Sequence, residues 1–579
     1  MNIRNLTGFL AAATLGSTSN LLAVDTDRDG LDDSVETDTG IYVSPTDTGT
    51  DPGNRDSDDD GAGDWYEVRA SFTDPNDGDE KPNVPYPLPA PDGSAGSTGP
   101  DAPPVKVYIL SGQSNMQGHG FLSPLGSAGT LETITKNEYK FPNLLRRSNW
   151  SVRNDVIYRG VISSDGNNGP LTPGQGVDST KIGPELGFGH VMGYFHDEPV
   201  LVIKASQGGR ALGWDFLPPG SERYEYGNDT YAGYGDSPAS WPTGTRPTRT
   251  ELYAGYQFDQ CFLDEADWPR PGSTFDPVTN VVDVLDNFET EFPEWAEQGF
   301  EIAGFAWFHG WNDGLSFTAG LAYRYEQNMA QFIREIREYY VNRYPTKTRP
   351  NAPFVVATAA FEGLDEDYYD NYPTRRAVLD GQLAVGDPGQ YPEFAGNVKT
   401  MEARGYWRST AESSGGQGYH YNQNAETFML VGDALGRGMI DLLAGTAPDT
   451  FADWIAGYEV GGLTGFDDDP DLDGIPNGVE NYFGTAPDTS SAGLVAGEPG
   501  GGSFAFSHPL SNAPAGDVTA SYRWSTDLRS FHDDGASDEN GTTVSFSQAT
   551  PSAGTVGVNT TVTGTPVEKL FVIIEATPN

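Results

Sequence analysis

The chain changes its rhythm of polar and apolar positions several times, and each change marks a different kind of structure. An apolar and small-residue run from Leu6 to Leu22 follows Arg4 and ends at Ala23, just before the acidic Asp25. A charged, then an apolar, then a small-residue region is the order of a secretory signal peptide, expected here over 1–23. Residues 24–80 show no apolar periodicity, only closely spaced carboxylates, and 81–104 are rich in Pro, Gly and Ser, the composition of a semi-rigid linker. Short continuous apolar runs follow at Val105–Leu110, Pro199–Lys204, Ile302–Phe308 and Pro353–Ala360. Runs of that length without alternation suit parallel strands buried on both faces. Between the last two, Tyr325, Met329, Phe332, Ile333 and Ile336 recur at helical spacing, with Arg334, Glu335 and Arg337 on the other face; Asn424–Leu443 reads as a second helix. Strands alternating with helices predict an α/β domain over 105–445, a parallel sheet covered on both sides. After 446–489, which holds another carboxylate cluster, 490–579 is rich in Gly, Ser and Thr. Its β-like runs at Ser521–Trp524, Thr543–Phe546 and Leu570–Ile574 predict a small β-sandwich.

At 579 residues the chain exceeds what one hydrophobic core can hold, in keeping with several domains. Its 83 acidic residues against 34 Lys and Arg give a net charge of −49. That excludes nucleic acid as a partner, because phosphate binding depends on basic side chains, and leaves solubility or cation binding as the use of the acid. Cys261 is the single cysteine, so no intrachain disulfide staples the fold, and it reads as a buried thiol. No segment after the N-terminus approaches the ~20 apolar residues of a membrane span. The expectation is a protein without a transmembrane segment that is secreted, periplasmic or held at the cell surface.

Three segments repeat one set of oxygen ligands. They are Asp25, Asp27, Asp29, Leu31, Asp33, Glu36; Asp56, Asp58, Asp60, Ala62, Asp64, Glu67; and Asp469, Asp471, Asp473, Ile475, Asn477, Glu480. In each, side chains alternate along the loop, a backbone carbonyl is offered at Leu31, Ala62 or Ile475, and Gly30, Gly61 or Gly474 supplies the sharp turn, as a Ca²⁺ loop requires. A solvated acidic linker would not place both the Gly and the final Glu correctly three times. The first two also resemble thrombospondin type 3 and related bacterial calcium repeats, in which motifs such as Thr50-Asp51-Pro52 and Thr73-Asp74-Pro75 follow each loop. Structural Ca²⁺ is the expected cofactor, folding these segments by offsetting carboxylate repulsion. Only weak helical patterns flank the loops, against the helix pair of an EF-hand.

The candidate chemistry lies at the ends of the expected strands. Val105–Leu110 runs into Ser111-Gly-Gln113-Ser114-Asn-Met-Gln-Gly118, and open α/β sheets bind ligands just past the carboxyl ends of their strands. A serine nucleophile needs a base, donors for an oxyanion and a group that orients the base. Gly208-Gly209-Arg210 follows the second strand, His309-Gly310-Trp311-Asn312-Asp313 the third, and Gly418-Tyr-His420 precedes the last helix.

These blocks resemble the Ser, Gly, Asn and His blocks of SGNH hydrolases, and Gly112-Gln-Ser-Asn-Met116 is similar to the sialate O-acetylesterase and acetylxylan-esterase branch. The resemblance covers roughly Val105 to Ala444 and implies a three-layer α/β/α, flavodoxin-like fold. It implies a carbohydrate O-acetylesterase in which Ser114 attacks the ester and His420 is the base. Oxyanion donors would be the N–H groups of Ser114 and Gly208 and the Asn312 amide, with no cofactor for the chemistry and an acetylated glycan or polysaccharide as substrate. Many relatives place the acid three residues before the His, but here that position is Gln417. Asp313 is the expected triad acid, with Glu402 and Glu412 as fallbacks. Gln113, Glu185, Arg210 and His309 are candidate sugar contacts, whereas His119 is expected on a wall or at the surface, carried off by a helix after Ser114. The alternative is a calcium-dependent glycan-binding or cell-surface protein whose hydrolase domain is degenerate.

Overall fold

The computed structural model describes residues 24–578, apart from 100–101, 165–166, 270–278, 317–318, 350, 445–450, 456–457, 459, 489, 492–495, 501–502, 510, 512–517, 549–554 and 568. The expected signal peptide lies outside the described residues. The chain forms two compact units, Met1–Pro87 with Glu138–Lys140, and Leu88–Asn137 with Phe141–Asn579.

In the first unit, carboxylates folded back onto the chain take the place of a large core. A helical turn at Asp64–Tyr66 continues into a π-helical turn at Glu67–Ser71, and Tyr66 stacks on Tyr86 with ring centroids 4.3 Å apart. Asp25 accepts the amides of Arg28 and Gly30, and Asp56 those of Asp60 and Gly61; in the second unit Asp469 takes those of Asp473 and Gly474. In all three loops the first Asp thus holds the amide of the Gly five residues on, and a second amide three or four residues on.

The remaining oxygens are arranged differently. Among the described residues, Asp27, Asp58 and Asp471, and Glu36, Glu67 and Glu480, each carry a buried oxygen with no hydrogen-bond partner. Each Glu has its other oxygen fixed, Glu36 by Thr50 (3.2 Å), Glu67 by Thr73 (2.8 Å) and Glu480 by Ser491 (3.2 Å). Thr50 and Thr73 are the first residues of the two Thr-Asp-Pro motifs, which gives those motifs a physical task. Oxygens of Asp25, Asp27 and Asp29, of Asp56, Asp58 and Asp60, and of Asp469, Asp471 and Asp473 lie within 4.8 Å of one another in each loop. Burial first, then the neighbouring carboxylates, pushes Glu36 up to about 8, Glu67 to about 9 and Glu480 to about 7. Orphaned buried oxygens converging in this way fit a hard, oxygen-coordinated cation.

Two expected ligands also brace their loops. Asp33 gives its oxygens to the amide and hydroxyl of Thr26 at 2.7 Å each, and Asp64 gives its own to those of Ser57 at 2.8 and 2.7 Å while keeping an oxygen within 4.8 Å of those of Asp29 and Glu36. Asn477 instead keeps a buried Oδ1 without a partner, because its amide nitrogen donates to the carbonyls of Leu463 and Gly465.

The second unit is built on a seven-stranded sheet. Its strands are β1 (Val105–Gly112), β2 (Arg153–Ile162), β3 (Gly169–Leu171), β4 (Val200–Ser206), β5 (Phe300–Phe308), β6 (Phe354–Ala357) and β7 (Val398–Met401). The order is β7-β6-β5-β1-β4-β2-β3, parallel except for the β2–β3 pair. The helices are α1 (Ser114–Gln117), α2 (Pro184–Phe195), α3 (Tyr325–Arg343), α4 (Pro373–Val385) and α5 (Ala425–Ala444). Side chains of β1 alternate between the two layers. Val107 and Ile109 share a buried cluster with α3 and α4, whereas the Tyr108 ring meets Phe188 of α2 edge-on at 5.4 Å. The α/β expectation therefore holds, with a mostly parallel central sheet. β2 and β3, which carry interruptions by Arg, Asp and Gly, extend it beyond the runs legible in the sequence.

Beyond α5, a helix at Asn477–Phe483 follows the third acidic loop. Two antiparallel sheets come next, a four-stranded one and a three-stranded one. Phe506 and Val558 of the first and Tyr522 of the second share a buried cluster.

Inside the α/β layers sits one complete ion pair. Lys204 on β4 and Glu185 on α2 are fully buried, 2.8 Å apart, and the ammonium also donates to the carbonyls of Gln117 (2.8 Å) and Gln175 (3.1 Å). Every proton of the ammonium is placed, and the arrangement ties α1 to the sheet. Glu185→Gln is expected to leave a buried charge unmatched and to cost about 3 kcal/mol or more, read as a lower urea midpoint at unchanged m-value.

Candidate functional site

Three neighbouring strands end level. Gly112 of β1 pairs with Phe308 of β5 on one side and Ser206 of β4 on the other. Chain order reverses direction across β1, and at such a switch point the turns after the strands diverge and leave a crevice. Gly112 makes the turn: a Cβ there would come within 2.2 Å of the Phe308 carbonyl oxygen. Ser114 then opens α1 at the mouth of a cavity of about 540 Å³, lined by Gln113, Ser114, Gln117, His119, Val177, Gly208, Gly209, Trp311, Asn312, Leu315, Tyr419 and His420.

Each block reaches this cavity by a traceable route. Gly208 follows β4, and a Cβ on it would lie 3.5 Å from that of Ser114, so its backbone passes directly beside the serine. Gln113 is the buried joint between two blocks. Its Oε1 accepts the amides of Gly310 and Asn312 at 3.4 Å each, and its Nε2 donates to Asn312 Oδ1 at 3.2 Å. With Oδ1 so engaged, the Asn312 amide presents its nitrogen as a donor. Asn115 joins the serine turn to the histidine turn by donating to the Tyr419 carbonyl at 3.2 Å.

His420 stands in a tight turn before α5. Tyr421, Asn422 and Gln423 have φ of 48°, 52° and 57°, three successive non-glycine residues in the left-handed region. Strain of that kind persists only where the surroundings enforce it. Here Tyr421 is buried with its ring 5.5 Å from that of Phe308, and Asn422 donates to the Arg408 carbonyl at 2.9 Å. The imidazole Nδ1 meets Gln417 Oε1 at 2.9 Å. With the amide oxygen turned to the ring, Nδ1 carries the proton and Nε2 keeps its lone pair. Burial pulls the His420 pKa down to about 4, so at neutral pH the ring is a neutral base.

Other expected site residues fall outside the cavity. Asp313 is fully buried and accepts the amides of Leu212 (2.9 Å) and Gly213 (2.8 Å), with His309 Nδ1 at 3.8 Å. It fastens the turn after β4 to the turn after β5, and the place on His420 expected of it is taken by Gln417. Glu402 pairs with Arg404 at 2.7 Å, and Glu412 accepts the amide and hydroxyl of Ser409. Glu185, expected as a sugar contact, is committed to Lys204 in the interior. His309 is likewise interior: its Nε2 donates to the Arg210 carbonyl at 3.0 Å, its ring stacks on Trp307, and burial pulls its pKa down to about 3. Arg210 turns toward Asp215 at 3.5 Å and lies over the Tyr256 ring.

His119 takes the wall position, the first of the two expected for it, but no helix carries it off: it lines the cavity with its ring flat against that of His420. The available signal was Gly118, which stops α1 after one turn. Gln417 was legible as the residue three before His420, although not as its partner.

Residues 104–228 match the family model described as SASA, carbohydrate esterase, sialic acid-specific acetylesterase. This part of the chain, which carries Ser114 and Gly208, is therefore similar to carbohydrate esterases. Among solved structures, a protein from Arabidopsis thaliana is 14% identical, with 58% of this chain and 99% of that one covered and a TM-score of 0.31. A carbohydrate acetylesterase from Xanthomonas citri is 9% identical (78% and 72% covered, TM-score 0.31), and NanS is 13% identical (53% and 79% covered, TM-score 0.28). No curated protein sequence matches the chain.

The neutral state of the half-buried His420 has a direct readout. In NMR titrations its ring protons are expected to shift with a midpoint near 4; a midpoint near 6.5, the ordinary histidine value, would mean the ring is open to water.

Proposed function

We propose that the protein is an exported carbohydrate O-acetylesterase with a serine nucleophile. The observation that carries this reading is one cavity that gathers Ser114, the base His420, the Gly208 backbone and the Asn312 amide at the ends of adjoining strands. His420 Nε2 takes the Ser114 proton as Oγ adds to the acetyl carbonyl. The N–H groups of Ser114 and Gly208 and the Asn312 amide receive the oxyanion, a kind of stabilisation for which each donor is worth ~100-fold or more in rate. Collapse of the adduct breaks the C–O bond to the sugar, whose oxygen leaves with the proton from His420. Water then attacks the acetyl-enzyme by the same route, acetate departs and Ser114 regains its proton.

In this reading Gln417, in place of Asp313, orients the imidazole. The cavity wall offers amides, hydroxyls, imidazoles and apolar groups, which suit the hydroxyls and acetyl group of an acetylated sugar. Ser114→Ala and His420→Ala are expected to lower acetate release from acetylated glycans, and hydrolysis of p-nitrophenyl acetate, by at least ~1000-fold. Full activity in Ser114→Ala would remove Ser114 as the nucleophile, whereas no hydrolysis by the wild-type protein would favour a glycan-binding protein with a degenerate hydrolase domain.

The acidic loops are proposed to hold structural Ca²⁺ through Asp25, Asp27, Asp29 and Glu36, through Asp56, Asp58, Asp60 and Glu67, and through Asp469, Asp471, Asp473, Asn477 and Glu480. The Leu31, Ala62 and Ile475 carbonyls would complete the three sets. The ion would neutralise carboxylates that otherwise repel, and supplies no step of the ester chemistry. Chelation is expected to expose residues 24–87 to protease and to lower the melting temperature, with recovery on adding Ca²⁺. An unchanged melting profile and protease pattern in chelator would count against these sites.

A further inference from the structure

His119 plays no part in the scheme above, yet its ring centroid lies 3.7 Å from that of His420 with the planes at 9°. The approach is built into the chain. Gly118 adopts φ +93° where a Cβ would come within 2.3 Å of Gly183 Cα, so the backbone reverses there and delivers the next side chain onto the imidazole. Tyr419 meets the same ring edge-on at 4.5 Å, and Gln417 holds its Nδ1. His420 is therefore fixed on a face, on an edge and at one nitrogen.

What stands behind the base matters for its charge. When His420 accepts a proton it becomes a cation, and a carboxylate partner would neutralise it. Gln417 orients the ring equally well but carries no charge. His119 stays neutral where His420 titrates: burial first, then His420, Lys181 and Lys204, pull its pKa down to about 3, with Asp178 acting in the other direction. A neutral aromatic face stacked on a cation is attractive, and more so where water is excluded.

We infer that His119 is a positioning residue for this site, whose neutral ring holds the His420 imidazole in plane and shares the positive charge that the Gln417 amide cannot neutralise. The inference rests on the Ser114–His420 reading. It explains why a site with an amide behind its base also brings a second imidazole onto that base.

The test is a mutant cycle on acetate release from an acetylated sugar, using the full-length chain loaded with Ca²⁺ and with kcat and KM measured separately. His119→Leu fills the space without an aromatic face and is expected to lower kcat about tenfold, with KM within about twofold. His119→Phe restores the face and is expected to stay within about threefold of wild type. Gln417→Asp supplies the missing charge, so His119→Leu in that background is expected to cost less than about threefold. If His119→Leu fails the melting check for folding, His119→Gln, polar but without a ring, takes its place. Wild-type kcat in His119→Leu, or an equal loss in both backgrounds without rescue by Phe, overturns the inference. In that case an inactive Ser114→Ala leaves the esterase reading standing, whereas an active Ser114→Ala removes the reading itself.

Discussion

The hydrogen-bond register of β1 against its two neighbours is the constraint on which the site depends. Ser206, Gly112 and Phe308 lie abreast, so the turns that follow emerge at one height and their backbone amides can face a common point. Parallel strands allow this because every carboxyl end lies on the same edge, and register cannot slip by one residue without turning apolar side chains to the wrong layer. Gly112 secures the alignment through its close approach to the Phe308 carbonyl. Gln113, the next residue, converts it into side-chain geometry by holding Gly310 and Asn312.

Much of this was legible in the sequence, for identifiable reasons. Continuous apolar runs announced β1, β4, β5 and β6, and helical spacing announced α3 and α5, because burial dictates those patterns locally. Ser114, Gly208, Asn312 and His420 were legible because they sit at element ends, and the cavity includes all four. The errors came from residues whose role depends on distant partners. Asp313 looked like an orienting acid by proximity to the Asn block, but amides from the turn after β4 claim it. Glu185 and His309 looked available to a sugar, yet Lys204 and the Arg210 carbonyl hold them in the interior. His119 was expected on a wall or at the surface and lines the cavity wall, but its closeness to His420 was not legible, because the expected helix ends at Gly118 and a one-turn element leaves almost no periodicity to detect.

The molecule handles buried acid in two ways. Glu185 meets a cation supplied by the chain, with each proton of Lys204 assigned. Glu36, Glu67 and Glu480 present oxygens that no described side chain satisfies. The first arrangement is self-contained, so the α/β interior is independent of the medium. The second leaves acid that, on the proposed reading, a bound cation would satisfy, as would suit a segment too small to fold on apolar area alone.

The left-handed run at Tyr421, Asn422 and Gln423 sets backbone comfort against rigidity. Such backbone is costly for residues with a Cβ, and glycine at any of the three would relieve it. Glycine would also return conformational freedom to the segment that aims the imidazole. On the esterase reading the three side chains therefore exchange backbone ease for a fixed aim, and at 421 a glycine would also forfeit the ring that packs on Phe308.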